Sequence, residues 1–539
     1  MKAKFALSLF LAAASLTAWA QGQKDAIEYF ECGKMEEAKI LFERTLNDAD
    51  ANKSKAKYYL GAIALATEND AAKAKALFDE GIALDPKEGL NYVGLGSIAL
   101  KNGNAAAAED HFKQAGDADS KDAEVQAAIA REYFNADPVA YAKQIEKYLK
   151  KAKKADKDNP AAYVLEGDML TAQKKWGEAA GYYEMAIQFD NDDAQEAYVK
   201  YADTYFNINP DEAIRKLQEL LRVVPNSALA QHEIAEKYYD NHQIPEATAA
   251  YGEYIKNPNH FAKDEERYVF LLFADDKFQQ AYDESQRLLR INPQSFLMKR
   301  LAFRSKAALK EWQAAADLGA AFMQATPDKN NKFVVSDYTN YGEVLSELGR
   351  YDDAIAAYEN ALKVAPDKVE IYKDLSNAYM GKEDYQASLA AYKSYIDMAE
   401  KPSTNDKYTL AGRYLNMVVS KQDPDGTYFR NGVEIMNEVC NLVPDDYRVF
   451  QRRAQLYLAA DEESKTGIGV DACKELIRVL DLKPENKTEH ASSYIQAYVY
   501  LATYYYNSGD IASAKEYYTR WLDVDPTNDA LRSYVNSLK

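Results

Sequence analysis

The chain repeats itself every 34 residues, and that interval constrains its fold more than any other feature. From Tyr338, apolar and small residues fall at Tyr341, Gly342 and Leu345, then at Tyr351, Ala354, Tyr358 and Ala361, before Pro366. One interval later the series returns as Tyr372, Leu375, Ser376 and Tyr379, then Tyr385, Ser388, Tyr392 and Tyr395. The first group occupies i, i+3, i+4 and i+7, which is one face of a helix. It carries a small residue where a second helix has to come close. The second group is one face of that second helix, and Pro366 ends it and turns the chain. Neither helix buries its stripe alone, so such units stack and share a continuous core.

Other copies keep the register. They include Tyr92, Leu95, Gly96, Ala108 and Phe112; Tyr163, Gly167, Ala179 and Tyr183; Tyr198, Ala202, Ala213 and Pro225; and Tyr498, Leu501, Ala502, Gly509, Ala514 and Tyr518. Weaker copies begin near Ala26, Leu60, Tyr268, Leu301, Leu410 and Ala454. The pattern resembles the tetratricopeptide repeat (TPR), whose motif is Trp-x2-Leu-Gly-x2-Tyr, then Ala-x3-Phe, then Pro. Tyr often stands here for the Trp and Phe of the motif, filling similar volume with its hydroxyl at the edge. The resemblance covers about fourteen units. It implies an all-α fold, a right-handed superhelical α-solenoid, closed by a capping helix.

The expected organisation is a signal peptide at 1–20, an N-terminal solenoid segment at 21–402, a C-terminal segment at 403–526 and a capping helix at 527–539. The second segment carries an insertion near 420–431. Residues 1–20 have Lys2 and Lys4, an apolar run from Phe5 to Leu16, and Ala18-Trp19-Ala20 before the expected cut. This is the build of a secretory signal, too short to span a bilayer comfortably. An exported protein is expected, periplasmic or else secreted or surface-associated, with no membrane span after signal removal.

Signal removal takes the formal net charge from −19 to −21, because Lys2 and Lys4 are the only charges in that segment. Such acidity disfavours nucleic acid and anionic membrane surfaces. The three cysteines, Cys32, Cys440 and Cys473, are an odd number, so at least one thiol stays unpaired. A Cys440–Cys473 bridge is left open by the sequence.

Signatures of catalysis are missing. The five histidines are scattered without a second ligand at metal spacing, and there is no phosphate-binding G-x4-G-K-[ST] loop and no G-x-S-x-G elbow. The acidic stretch at 190–193 lacks the Gly and the distant Glu of an EF-hand loop. It reads as a helix-capping boundary. No enzyme, cofactor or metal is expected.

Two sets of residues are candidates for holding a partner. Tyr133-Phe134, Tyr205-Phe206, Tyr238-Tyr239 and Tyr505-Tyr506 are aromatic neighbours at one position of their repeats. Adjacent helical residues point about 100° apart, so when the first fills the core the second points elsewhere. In the TPR family the first helices line the concave groove, which implies that Phe206, Tyr239 and Tyr506 stand on or beside it. There they either grip a partner segment or pack against the next repeat. The second set rests on the resemblance. Some TPR co-chaperones clamp a C-terminal carboxylate with Lys and Asn from one first helix, Asn from the next, and Lys and Arg from a third. Lys373 and Asn377 match the first, Arg448 and Arg452 the third, and Thr409 stands at the middle position. Arg413, Arg430 and Arg453 add local positive charge. The resemblance implies a non-catalytic scaffold or adaptor in the cell envelope, binding proteins or peptide segments on its concave face. Self-association as a structural solenoid, or service as an accessory subunit of an envelope enzyme complex, are the alternatives.

Overall fold

A computed structural model describes residues 22–48, 51–118, 121–190 and 194–538. The expected signal at 1–20 lies outside these residues, as do positions 191–193 of the acidic stretch. The described residues form helices in consecutive antiparallel-type pairs, with no strand among them. The chain divides into two compact units, one up to Leu288 and one from Leu289.

In the first unit the leading helix of each pair covers 22–31, Lys53–Ile63, Gly89–Lys101, Ala123–Ala136, Pro160–Ala172, Gln195–Phe206, Ala228–Asp240 and Ala262–Ala274. In the second unit the leading helices are Phe296–Ala308, Val335–Glu347, Ile371–Gly381, Thr404–Val419, Tyr447–Ala460 and Ala491–Asn507. A second helix follows each. These are the fourteen repeats that the spacing predicts, and Asp529–Ser537 caps the last. The cap sets Leu531 and Val535 against Ala502, Ala514 and Tyr518.

The small position of the motif has a direct steric cause. A Cβ placed on Gly342 would lie 2.7 Å from the Tyr358 ring, and one on Gly96 would lie 2.2 Å from Phe112. The large ring of the second helix thus lies against the backbone of the first. Ala354 and Ala361, on either side of Tyr358, are fully buried. Helix starts are held by short polar side chains, mostly at repeat boundaries. Asn52, Asp122, Asn159, Ser227, Asp384 and Asn528 each accept a backbone N–H of the turn they open. The stretch at 420–431 is taken up by longer helices, Thr404–Val419 and Thr427–Leu442, joined by a turn in which the Asp423 carboxylate accepts the N–H groups of Tyr428 and Phe429.

Within each unit, leading helices also touch the next leading helix, as Lys53–Ile63 touches Gly89–Lys101, Gly89–Lys101 touches Ala123–Ala136, and Thr404–Val419 touches Tyr447–Ala460. Contact across the intervening helix requires the array to curve toward the leading helices, so they line the inner face of each unit. All three cysteines are free thiols, so the Cys440–Cys473 bridge is not formed. Burial pushes the Cys473 thiol up to about 12.

Candidate partner-binding surface

On the inner face of the second unit, three successive leading helices bring Asn377, Tyr408, Gly412, Arg413 and Arg452 together. Arg413 Nη2 donates to Asn377 Oδ1 at 2.7 Å and its Nε to Ser376 Oγ at 3.2 Å. Arg452 reaches back from the next repeat and donates Nη2 to the Tyr408 hydroxyl at 3.2 Å, its guanidinium 4.6 Å from the centre of that ring. Gly412 makes this reach possible, because a Cβ there would fall 2.2 Å from Arg452 Nη1. Arg452 Nε is shielded from solvent and has no acceptor.

Neither guanidinium meets a carboxylate among the described residues. Burial, with Arg452 close by, pulls the Arg413 pKa below its ordinary value. It stays charged at neutral pH, since arginine begins from above 12. The surrounding basic residues are different. Lys373 contacts Glu370 at 3.1 Å and Asp406 at 3.0 Å. Burial alone would raise the Asp406 pKa, but hydrogen bonds from Ser403 and Lys373 outweigh it and hold the group at about 2. Arg448 is exposed and folds back onto Asp446, with Nη2 at 2.6 Å from the carboxylate. Arg453 is paired with Glu475, Arg430 bonds within its own turn, and Thr409 donates to the carbonyl of Asn405.

The four residues named for a carboxylate clamp therefore separate. Asn377 and Arg452 share one patch, while Lys373 and Arg448 are each neutralised by neighbouring acids. Arg413 fills the gap between Asn377 and Arg452, and its reach to Asn377 is a contact between repeats that spacing alone does not reveal. Two uncompensated guanidinium groups side by side suit a carboxylate, which each can hold through two parallel N–H···O bonds.

The aromatic candidates stand on leading helices but do not converge. Phe206 lies under the Lys237 ammonium, 4.8 Å from its ring centre. Tyr239 lies under the Arg267 guanidinium at 3.8 Å and meets Phe270 edge-on. Both are half-buried by the next repeat. Tyr506, in the second unit, is 44% exposed and approaches Tyr534 of the capping helix at 6.4 Å between ring centres. Among the described residues no three His, Cys, Asp or Glu side chains are placed to hold a metal ion. No helix among them is long and apolar enough to cross a membrane.

Four sequence-family profiles, each described as tetratricopeptide repeat, match the chain. They cover 142–194 and 342–403, 65–132, 196–227, and 495–528. The chain is a tetratricopeptide-repeat protein. TPR proteins are as a rule non-catalytic and mediate protein–protein interaction. No curated protein matches the sequence. Among solved structures, the C-terminal part of a TPR repeat-containing protein from Cytophaga hutchinsonii is 19% identical, over 50% of this chain and 98% of that one, with a TM-score of 0.40. YrrB, described as a TPR protein with an unusual peptide-binding site, is 12% identical over 38% of this chain and 96% of its own, at 0.31. The Cut9–Hcn1 hetero-tetramer of APC/C is 13% identical over 85% of this chain and 93% of that chain, at 0.28.

Proposed function

We propose that this TPR protein is a non-catalytic scaffold of the cell envelope that holds partner proteins by segments laid along its leading helices. In this reading Arg413 and Arg452 take a carboxylate of the partner. The observation that carries it is the pair of half-buried guanidinium groups without an acid, in a chain of formal net charge −19. A protein this acidic has carboxylates to spare, and it uses them on Lys373, Arg448 and Arg453 next door. Leaving two adjacent arginines uncompensated costs stability, and an incoming carboxylate removes that cost. Export is supported by the charge, apolar run and small residues at 1–20.

The test is titration of the full chain with acidic pentapeptides that have a free C-terminus, against their C-terminally amidated twins. The free carboxylate should bind at least about tenfold more tightly, consistent with one charge-assisted bidentate contact. Arg413→Ala should erase the difference. Equal binding of both peptides, or none of either, overturns the carboxylate reading. In-cell crosslinking from position 452 then identifies the partners, and crosslinks only to further copies of this chain would favour self-association instead.

A further inference from the structure

Part of the first unit's inner face is covered by the chain itself. Ala26, Tyr29 and Phe42 of the first repeat are buried in one apolar cluster with Tyr251, Tyr254 and Phe261. The outer side of the same unit carries a different feature. The second helix of its fourth repeat, Ala142–Ala155, has six lysines among its 14 residues and a single acid, Glu146.

Two of these lysines are engaged with acids of the fold. Lys147 Nζ lies 2.8 Å from Glu109, and Lys153 Nζ lies 2.6 Å from Glu166. Lys143, Lys150, Lys151 and Lys154 are exposed and meet no carboxylate among the described residues. Lysines at a helix C-terminus complement the helix dipole, but only Lys153 and Lys154 lie in the last turn. Lys143 and Lys147, Lys147 and Lys151, and Lys150 and Lys154 are each four residues apart, where like charges repel. A chain with 85 acidic and 66 basic residues has acids in number, and none is set against this repulsion from the helix's own exposed face beyond Glu146.

Packing beside the helix is incomplete as well. It is joined to its leading helix by five residues, 137–141, against three in most other repeats. It packs on that leading helix, Ala123–Ala136, yet barely touches the next one, Pro160–Ala172. In the following repeat, by contrast, Trp176–Phe189 lies closely along Gln195–Phe206. The gap is a groove of about 620 Å³. Ile145 and Leu149 form its floor, Pro138, Ala142 and Met169 its apolar sides, and Lys150 and Lys154 its rim. Val139, on the turn before the helix, is 85% exposed.

We propose that this groove receives an acidic amphipathic helix of a partner protein. Apolar side chains of the incoming helix cover Ala142, Leu149 and Met169, and its Asp and Glu residues meet Lys150 and Lys154, one turn apart. Glu146 requires a neutral or basic residue opposite it, which places the acidic residues toward the Lys154 end. Charge complementarity sets the sign of the partner, and the apolar floor sets its class. A nucleic acid has no aliphatic side chains for such a floor, and the net charge of −19 repels an extended polyanion at long range. A membrane surface is disfavoured for another reason: Ile145, Tyr148, Leu149 and Ala152 are buried, so the helix has no free apolar face to lay on lipid. The groove lies in the first unit and uses neither Arg413 nor Arg452, so it goes beyond the carboxylate reading and does not depend on it.

The test uses the full chain and a fluorescent peptide of about three helical turns, with leucines along one face, glutamates along the other and an amidated C-terminus. The peptide should bind, and the double variant Lys150→Glu, Lys154→Glu should weaken binding by at least about tenfold. Arg413→Ala should leave binding unchanged, which separates this groove from the surface of the second unit. A peptide of the same composition with its leucines spread around the helix should bind at least about tenfold more weakly. Equal binding by that peptide, or by polyglutamate of the same charge, would overturn the proposal in favour of charge alone. So would no binding of the amphipathic peptide, or binding that the double variant leaves untouched. A wild-type dimer in sedimentation that the double variant abolishes would assign the groove to a second copy of this chain instead. Both lysines are exposed and pair with no acid, so the variant should keep the helix content and thermal midpoint of the wild type. Should it misfold, Lys150→Gln, Lys154→Gln replaces it, with a smaller loss of binding expected and no loss overturning the proposal.

Discussion

Gly412 is a single residue whose substitution separates binding from folding. A Cβ at that position lands on the tip of Arg452, and the tip of a long side chain can swing away. Ala in a helix interior is favoured over Gly by roughly 1 kcal/mol. Gly412→Ala should therefore leave the thermal midpoint unchanged or slightly higher, yet weaken binding of a free-carboxylate acidic peptide by about tenfold. Calorimetry of unfolding and of peptide binding on the same sample checks both halves. The residues behind this site were only partly legible. Asn377, Arg452 and the positive charge of Arg413 can be found by counting along repeats. That Lys373 spends its charge on Asp406 cannot, because the acid comes from the next repeat and its approach depends on how two helices pack. The Phe206, Tyr239 and Tyr506 series shows the same limit, since one repeat position acquires Lys237, Arg267 and Tyr534 as three different neighbours.

At the level of the element, the turn between the two helices of a repeat needs a left-handed residue at one place. Gly103, Gly349 and Gly509 supply it with φ of 73°, 70° and 84°. Lys310 and Glu383 occupy the same place with φ of 58° and 64°, where a Cβ is crowded. Glu383→Gly should stabilise its repeat by about 0.5–1 kcal/mol, the relief of strain exceeding the extra entropy of glycine in the unfolded chain. Chemical denaturation monitored by helix content tests this, and no gain would mean that the Glu383 turn is not strained. The capping helix offers a second test. Leu531 packs on the last repeat beside Tyr518. Leu531→Ala should cost about 2–3 kcal/mol there, seen as faster amide exchange in Ile511–Val524 with the Val335–Glu347 helix unaffected, because neighbours alone couple in a solenoid.

Across the whole molecule, carboxylates set the dependence of stability on pH. Glu196 and Asp374 are pushed up by burial to about 7 and about 6. A carboxyl raised on folding favours the native state fully below its unfolded value, near pH 4.5 or 3.8, and that advantage is lost as pH rises through the folded value. Glu233 and Asp406 have the opposite sign. Burial opposes their ionisation, but His232 and Lys34 for Glu233, and Ser403 and Lys373 for Asp406, hold both at about 2. Their contribution is complete above their unfolded values and fades only as pH falls toward 2. Between pH 5 and 7.5 Glu196 and Asp374 lose their protons in the native state, so their contribution makes the thermal midpoint higher at pH 5. Glu196→Gln should remove on the order of 2–3 kcal/mol of that difference. An equal difference in wild type and variant would show that Glu196 is not the group responsible.

The helix pairs, their register and the capping helix follow from the sequence by itself, because each depends on residues within one turn or one repeat. An i, i+3, i+4, i+7 stripe, a small residue opposite a large ring, and a short polar side chain at a helix start are local facts, and repetition at 34 residues confirms each of them many times over. Only the tertiary structure decides that Asn259 meets Asp25 across 234 positions, or that Arg413 and Arg452 come side by side without a carboxylate among the described residues. Those outcomes depend on how far small rotations between stacked repeats bend the inner face, and on which long side chains then come within ionic reach. No periodicity along the chain encodes that bend.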